Sequence, residues 1–426
     1  MMMSKKSAKL AQLVLCLAAL LTTSQAFSQS SDASSEARSE ARSEAIDVGA
    51  RPAELIAQLP DGELKSTLES CAGAPAQRSE FSIGHRGAPL GHPEHTREGY
   101  IAAAQMGAGI LECDVTFTSD KTLVCRHSQC DLHTTTNILH TPLAKSCKTP
   151  PDYNSDTPFK NVQCCTSDLT IDEFKSLKGK ADFGNKNAAT LEAYHSLAGT
   201  PKAAQQNVTG TLMTHAESIE LFTQLGVRMI PELKAPMVPM PYLGEFSQQQ
   251  YAQSLVDEYL DAAVDPADVF LQSFNLDDVY YWIAETPAFG KQAAWLDGRY
   301  RDRSFDPSME KSWKPSMSEL TANGVQILAP PMWMLMTVDD DNNMVPSAYA
   351  NAAADAGLDV ITWTLERSGS LNKGGGWYYQ TVKPAVKNDG DVYTALDTLS
   401  RKVNVKGVFT DWPATVTYYA NCLGLD

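Results

Sequence analysis

Glu112 and Asp114 stand two residues apart in residues 110–116, a run apolar and β-branched enough to form a strand. Residues two apart in a strand point to the same face, so both carboxylates project together near that strand's C-terminal end. A further acid, Glu232, closes another short apolar run in Pro231-Glu232-Leu233-Lys234. Carboxylate oxygens gathered in this way suit a hard divalent cation such as Ca2+ or Mg2+. His85 and Arg86 follow the candidate strand 81–84, and His127 follows Leu123-Val124-Cys125-Arg126. Two imidazoles that titrate near neutrality can act as base and acid on opposite sides of a reacting phosphorus. A cation and Arg86 can neutralise an anionic phosphodiester and the charge that develops as it is attacked, and Lys234 adds a positive contact. Taken singly, each residue has a plainer reading. A lone histidine is usually a surface or satisfied core residue, and His92, His95, His133, His140, His195 and His215 are read that way. A Glu-x-Asp pair is usually solvated, and Pro-Glu-Leu-Lys is an ordinary strand end. Their joint placement at strand ends is what points to a site.

Those strand ends need a scaffold. Short β-like runs occur at 81–84, 110–116, 228–233, 269–273, 293–297, 325–328, 360–364 and 405–410. Amphipathic or Ala-rich stretches lie between them at 96–106, 216–225, 251–263, 277–285, 348–356 and 392–401. Alternating strand and helix over most of the chain implies an α/β fold with a parallel sheet. Eight such units imply a closed (β/α)8 TIM barrel, whose active-site loops all lie at one rim. Residues 128–215 break the alternation and are rich in Thr, Asn, Pro and Cys. A structureless loop of that length is improbable in a compact domain, so an inserted subdomain after the second strand is expected. It would either shape the pocket or decorate the rim.

The N-terminus reads as an address. Lys5, Lys6 and Lys9 precede an apolar run from Leu10 to Leu21, and Ser24-Gln25-Ala26 offers small residues for cleavage. This is the pattern of a secretory signal peptide over 1–26, too short to span a bilayer. Residues 27–50 contain SEARSEARSEA, whose like charges recur at four-residue spacing, and are expected to be a low-complexity linker. Residues 51–80 form a lead-in, and 81–426 the catalytic domain. The chain has nine cysteines, eight of them outside the leader, which in an exported protein suggests disulfides. Cys130, Cys147, Cys164 and Cys165 could staple the insertion, and Cys71 and Cys422 could tie the ends of the catalytic body. The net charge of −16 over 426 residues argues against a nucleic-acid partner. A periplasmic or secreted protein, with no stable membrane insertion once the leader is removed, is expected.

The motifs His85-Arg86-Gly87-Ala88, Pro93-Glu94-His95-Thr96, Glu112-Cys113-Asp114-Val115 and Thr118-Ser119-Asp120 resemble the glycerophosphodiester phosphodiesterase family. The resemblance continues at Leu123-Val124, His127, Pro231-Glu232-Leu233-Lys234, Gln272-Ser273-Phe274, Thr362-Trp363-Thr364 and Gly407-Val408-Phe409-Thr410-Asp411, in family order. It implies that Glu112, Asp114 and Glu232 bind one divalent cation and that His85 and His127 form the acid–base pair. Arg86 and Lys234 would hold phosphate, Glu94 would lie near the metal or the substrate hydroxyls, and Trp363 would line the glycerol pocket. The glycerol hydroxyl beside the phosphoester would attack and release the alcohol, and water would open the cyclic phosphate so formed to sn-glycerol 3-phosphate. This sequence departs from the family in carrying Ser128 where Asp usually follows the second histidine, and His95 where Asn is usual. Gly374-Gly375-Gly376, followed by Trp377-Tyr378-Tyr379, is either a mobile loop or a lid. Two other functions use the same barrel, a lysophospholipase D-type phosphodiesterase and a non-catalytic binding module. All the expected acids and histidines are present, which weighs against the latter.

Overall fold

The computed structural model describes residues 45–425; the expected signal peptide and most of the expected linker lie outside the described residues. Its strands are β1 (Ser79–Gly84), β2 (Ala108–Leu111), β3 (Asp114–Phe117), β4 (Leu123–Cys125), β5 (Lys178–Lys180), β6 (Thr209–Thr211), β7 (Arg228–Met229), β8 (Glu232–Leu233), β9 (Gln272–Ser273), β10 (Ala294–Leu296), β11 (Ile327–Ala329), β12 (Met336–Val338), β13 (Met344–Pro346), β14 (Asp359–Leu365) and β15 (Gly407–Thr410). Eleven of these form one curled sheet in the order β4-β3-β8-β9-β10-β11-β14-β15-β1-β2-β7, and every pairing is parallel except β3 with β4. Helices alternate with the strands, giving a mixed α/β fold.

Each of the eight runs read from the sequence contains a strand of this sheet. Two of the runs are interrupted. The first breaks at Glu112-Cys113 into β2 and β3, and the second breaks at Ile230-Pro231 into β7 and β8. Pro231 has no N–H to give the ladder, which accounts for the second break. Hydrogen bonds carry the pairing across both: Ile230 N to Leu111 O at 2.9 Å, Glu232 N to Cys113 O at 3.0 Å and Lys234 N to Val115 O at 3.1 Å. The sequence reading missed β4, which folds back on β3 with Val115 opposite Cys125.

Ile83, Ile110, Ile230, Ala294, Leu296, Ala329, Ile361 and Phe409 come from strand after strand and form one buried apolar cluster, as the inner face of a curled sheet should. A larger core lies between the sheet and its helices, where Tyr100, Leu255, Trp282, Leu320, Tyr349 and Val416 are fully buried. In helix Arg97–Gln105, Thr96 caps the N-terminus by accepting from Gly99 N at 3.3 Å, and the buried side is Tyr100, Ala103 and Ala104. Gly87 has φ +93°, and a Cβ there would lie 2.8 Å from the Gly99 carbonyl carbon. Only glycine lets the loop after β1 pack this closely on that helix.

Between β4 and helix His215–Leu225 the chain forms short helices and the antiparallel pair β5 and β6. Leu132, Ile138, Phe159, Phe174 and Tyr194 there share an apolar cluster separate from the main core. Disulfides Cys130–Cys165 and Cys147–Cys164 cross-link this stretch. Cys71–Cys422 joins the lead-in to the last helix, and Cys113–Cys125 joins β4 to the two-residue break between β2 and β3. The lead-in forms helices Arg51–Ile56 and Glu63–Ser70. Among the described residues, no helix is long and apolar enough to cross a membrane.

Candidate active site

The carboxylates of Glu112, Asp114 and Glu232 converge, with one oxygen of each lying within 4.8 Å of the others. Glu112 follows β2, Asp114 opens β3, and Glu232 opens β8 directly opposite Asp114. All three are buried, so their negative charges repel in a medium that screens them poorly. Burial, then Asp114 and Glu232, push Glu112 well above the usual carboxylate range. Burial also raises Glu232, although Lys234 opposes the shift. Asp114 is held well below that range because Lys234 and His95 outweigh its burial. Asp114 Oδ1 is buried with no hydrogen bond. A set of buried oxygens that disfavour one another's charge, with one left unsatisfied, fits a hard divalent cation.

His85 Nδ1 lies 2.6 Å from Asp411 Oδ1. Burial, followed by Arg86, lowers the His85 pKa to about 4, while Arg367 and His85 keep Asp411 below its ordinary range despite burial. The imidazole is therefore neutral at pH 7, and the carboxylate assigns its proton to Nδ1. Nε2 is left with its lone pair, 3.9 Å from Glu112 Oε2. Such a nitrogen can accept a proton.

Arg86 has φ 56°, an uncommon conformation for a residue with a side chain. Its backbone N–H donates to Glu112 Oε2 at 3.0 Å, and its Nη1 donates to Glu94 Oε2 at 3.1 Å. These bonds bind the guanidinium to the acid cluster and help hold the strained turn. Lys234 Nζ lies 2.6 Å from Glu232 and 3.8 Å from Asp114. His127, two residues beyond β4, is kept neutral first by burial and then by Arg86 and Lys234. His85, Arg86, His127, Lys234, Glu112, Glu232 and Trp363 all line one cavity of about 740 Å³. Asp114 and Glu94 stand behind them as buried partners. Trp377 and Tyr378, after the glycine run, form part of the cavity wall.

Sequence reasoning missed several participants. His95 has φ 53°, is fully buried, and bridges Asp114 Oδ2 at 2.8 Å and the Tyr100 hydroxyl at 2.9 Å. It is a satisfied core residue, as read, yet it orients a member of the acid cluster. Asp411 and Gln272 stood in the family motifs. Asp411 received no role there, and Gln272 donates to Glu112 Oε1 at 3.0 Å. Arg367, 2.9 Å from Asp411 Oδ2 and 3.7 Å from Glu94, follows β14 in no motif that could have revealed it. Asp131 occupies the space beside His127, within 4.8 Å, and accepts from Ser128 N at 2.8 Å. It supplies a carboxylate near His127 where Ser128 replaces the expected Asp. Glu94 completes that second group, but Arg86 and Arg367 crowd it and Arg126 donates to its carbonyl. The positive charge there opposes a second cation.

The sequence profile of the Glycerophosphoryl diester phosphodiesterase family matches residues 85–415. A protein of Arthroderma benhamiae named extracellular protein is 43% identical over 247 residues, covering 57% of this chain and 98% of its own length. A Silicibacter pomeroyi structure named for glycerophosphoryl diester phosphodiesterase shares the fold, with TM-score 0.54, 18% identity, and coverage of 85% of this chain and 99% of its own. A phosphodiesterase of Oleispira antarctica, solved with the product sn-glycerol-3-phosphate, covers 80% of this chain and 96% of its own at TM-score 0.46 and 16% identity. The matched span contains every cavity residue named above, and the chain belongs to the glycerophosphoryl diester phosphodiesterase family, as an enzyme that hydrolyses glycerophosphodiesters.

Proposed function

We propose that the cavity cleaves glycerophosphodiesters to an alcohol and sn-glycerol 3-phosphate in a metal-dependent reaction, with His85 and His127 as the acid–base pair. The observation that carries this reading is the placement of three buried carboxylates, two neutral imidazoles and two phosphate-seeking cations around one cavity. Glu112, Asp114 and Glu232 would hold one Ca2+ or Mg2+, which neutralises phosphoryl oxygens and the charge that builds on them. Arg86 and Lys234 hold the phosphate; their guanidinium and ammonium donors suit its oxygens. His85 Nε2 takes the proton of the attacking glycerol hydroxyl, while Asp411 stabilises the imidazolium that forms. His127 hands a proton to the departing alcohol; the bound phosphate anion offsets the Arg86 and Lys234 charges that otherwise disfavour its protonated form. The cyclic phosphate left behind is then opened by water, His127 taking the water's proton and His85 returning its own to the glycerol oxygen, which gives sn-glycerol 3-phosphate. Glu94 fixes Arg86, and Trp363 offers an apolar face to the glycerol carbons.

The continuous ladder through β2–β3 and β7–β8 supports a closed (β/α)8 barrel, and the separate apolar cluster of 124–212 supports an inserted subdomain at its rim. Four disulfides and the leader-like N-terminus support export to the periplasm or the medium.

The test is release of glycerol 3-phosphate from glycerophosphocholine by the mature protein, first with EDTA and then with Ca2+ or Mg2+ restored. Release that stops with EDTA and returns with one of the ions is expected. Release that persists with the chelated protein would sink the metal dependence.

A further inference from the structure

The cavity extends well beyond the reacting groups. Its outer wall is built by Phe274, Tyr300, Arg301 and Trp377, and Trp363, whose face serves the glycerol carbons, borders that wall through contacts with Phe274, Tyr300 and Trp377. Trp363 and Trp377 stack with centroids 5.9 Å apart, and Tyr300 meets Trp377 edge-on at 5.2 Å. Among the described residues, no carboxylate lines this outer wall; the acids that line the cavity, Glu112 and Glu232, belong to the cation cluster. The wall therefore holds no counter-charge for an ammonium headgroup.

Three cationic side chains line the cavity, and two are already engaged. Arg86 is bound to Glu94, and Lys234 to Glu232. Among the described residues, the guanidinium of Arg301 has neither an ion pair nor a hydrogen bond. It lies over Phe274, 4.5 Å from the ring centroid, and 5.5 Å from that of Tyr300. These ring faces hold the charge against the wall without neutralising it. Lys234 Nζ lies 6.0 Å from the same Phe274 centroid. Arg301 thus stands one aromatic ring away from a phosphate contact, where the alcohol portion of a bound diester would extend.

We propose that Arg301 is a specificity-determining residue that reads the leaving alcohol and favours diesters whose alcohol carries a second anion, a carboxylate or a phosphate. This rests on the hydrolytic reading of the cavity. A guanidinium free of carboxylates presents a donor fork matched to such an anion. For an ammonium headgroup, attraction to the ring faces is opposed by repulsion from Arg301.

Glycerophosphoserine and glycerophosphoethanolamine differ by a single carboxylate and separate these effects. With the wild-type protein, kcat/KM is expected to be higher for the serine diester. Arg301→Gln should lower that value by about tenfold through KM and leave the ethanolamine diester nearly unchanged, and Arg301→Lys, which keeps the charge without the fork, should restore part of the loss. Equal falls on both diesters, or a wild-type preference for ethanolamine, would overturn the proposal while leaving the hydrolytic reading intact. If the metal-loaded wild type cleaves neither diester, both readings fail together.

Discussion

Asp411 and His85 show how a single hydrogen bond sets a chemical role. The 2.6 Å contact fixes the imidazole proton on Nδ1 and aims Nε2 into the cavity. Asp411→Asn retains the size of the side chain but offers an amide that can stabilise the wrong tautomer. Its kcat is expected to fall on the order of 10²–10⁴-fold with KM little changed, approaching the loss in His85→Ala. Steady-state kinetics on glycerophosphocholine check this, and an Asp411→Asn enzyme with full kcat would show that the tautomer does not matter. The residues that gather around the cavity were legible because their types are unusual together at strand ends and because their motifs follow one family's order, although the single strand read over 110–116 breaks at Glu112-Cys113. Arg367 and His95 were not legible. Their roles come from contacts across long stretches of sequence, or from a left-handed backbone that nothing in a single sequence announces.

The elements act as mounts for these residues. β3 and β4 form a hairpin whose second strand leads into His127, and the Cys113–Cys125 disulfide fastens that strand beside Glu112 and Asp114. The sequence displayed the parallel strands through the alternation of apolar run and helix, but β4, Leu123–Cys125, follows β3 in a hairpin with no helix between them and falls outside that alternation. The start of helix Arg97–Gln105 is a second mount, because it follows His95 directly and carries Tyr100. Thr96→Ala removes the capping oxygen and is expected to cost about 1 kcal/mol of stability by urea unfolding. The 2.7 Å bond from Thr96 Oγ1 to Pro93 O is lost as well, so KM should rise in the same variant.

For the whole molecule, acid sensitivity is set partly far from the chemistry. In the segment between β4 and helix His215–Leu225, burial lowers His133 and His195 to about 4, aided by Lys186 for the former and Lys180 for the latter. Both are neutral in the folded chain, whereas in the unfolded chain they take up protons below about 6.5. Their contribution to stability is therefore complete above about pH 6.5 and declines as the pH falls toward 4. Thermal unfolding followed from pH 7 to pH 4 should show Tm falling across that window, and the fall should be shallower in a His133→Gln, His195→Gln variant. An unchanged slope would place the acid sensitivity elsewhere.

The Cys71–Cys422 bond has a mechanical consequence. It joins residues 351 positions apart whose Cα atoms lie 5.6 Å from each other, so nearly the whole catalytic body is a covalent ring. A force applied to the two chain ends would pass through this bond and bypass the hydrogen-bonded ladder, leaving the body folded under a load that would unzip the reduced chain. Because Cys71 and Cys422 already meet, a chain begun at an exposed turn such as 339–343, with a short peptide joining the residues on either side of that bond, should keep the same body.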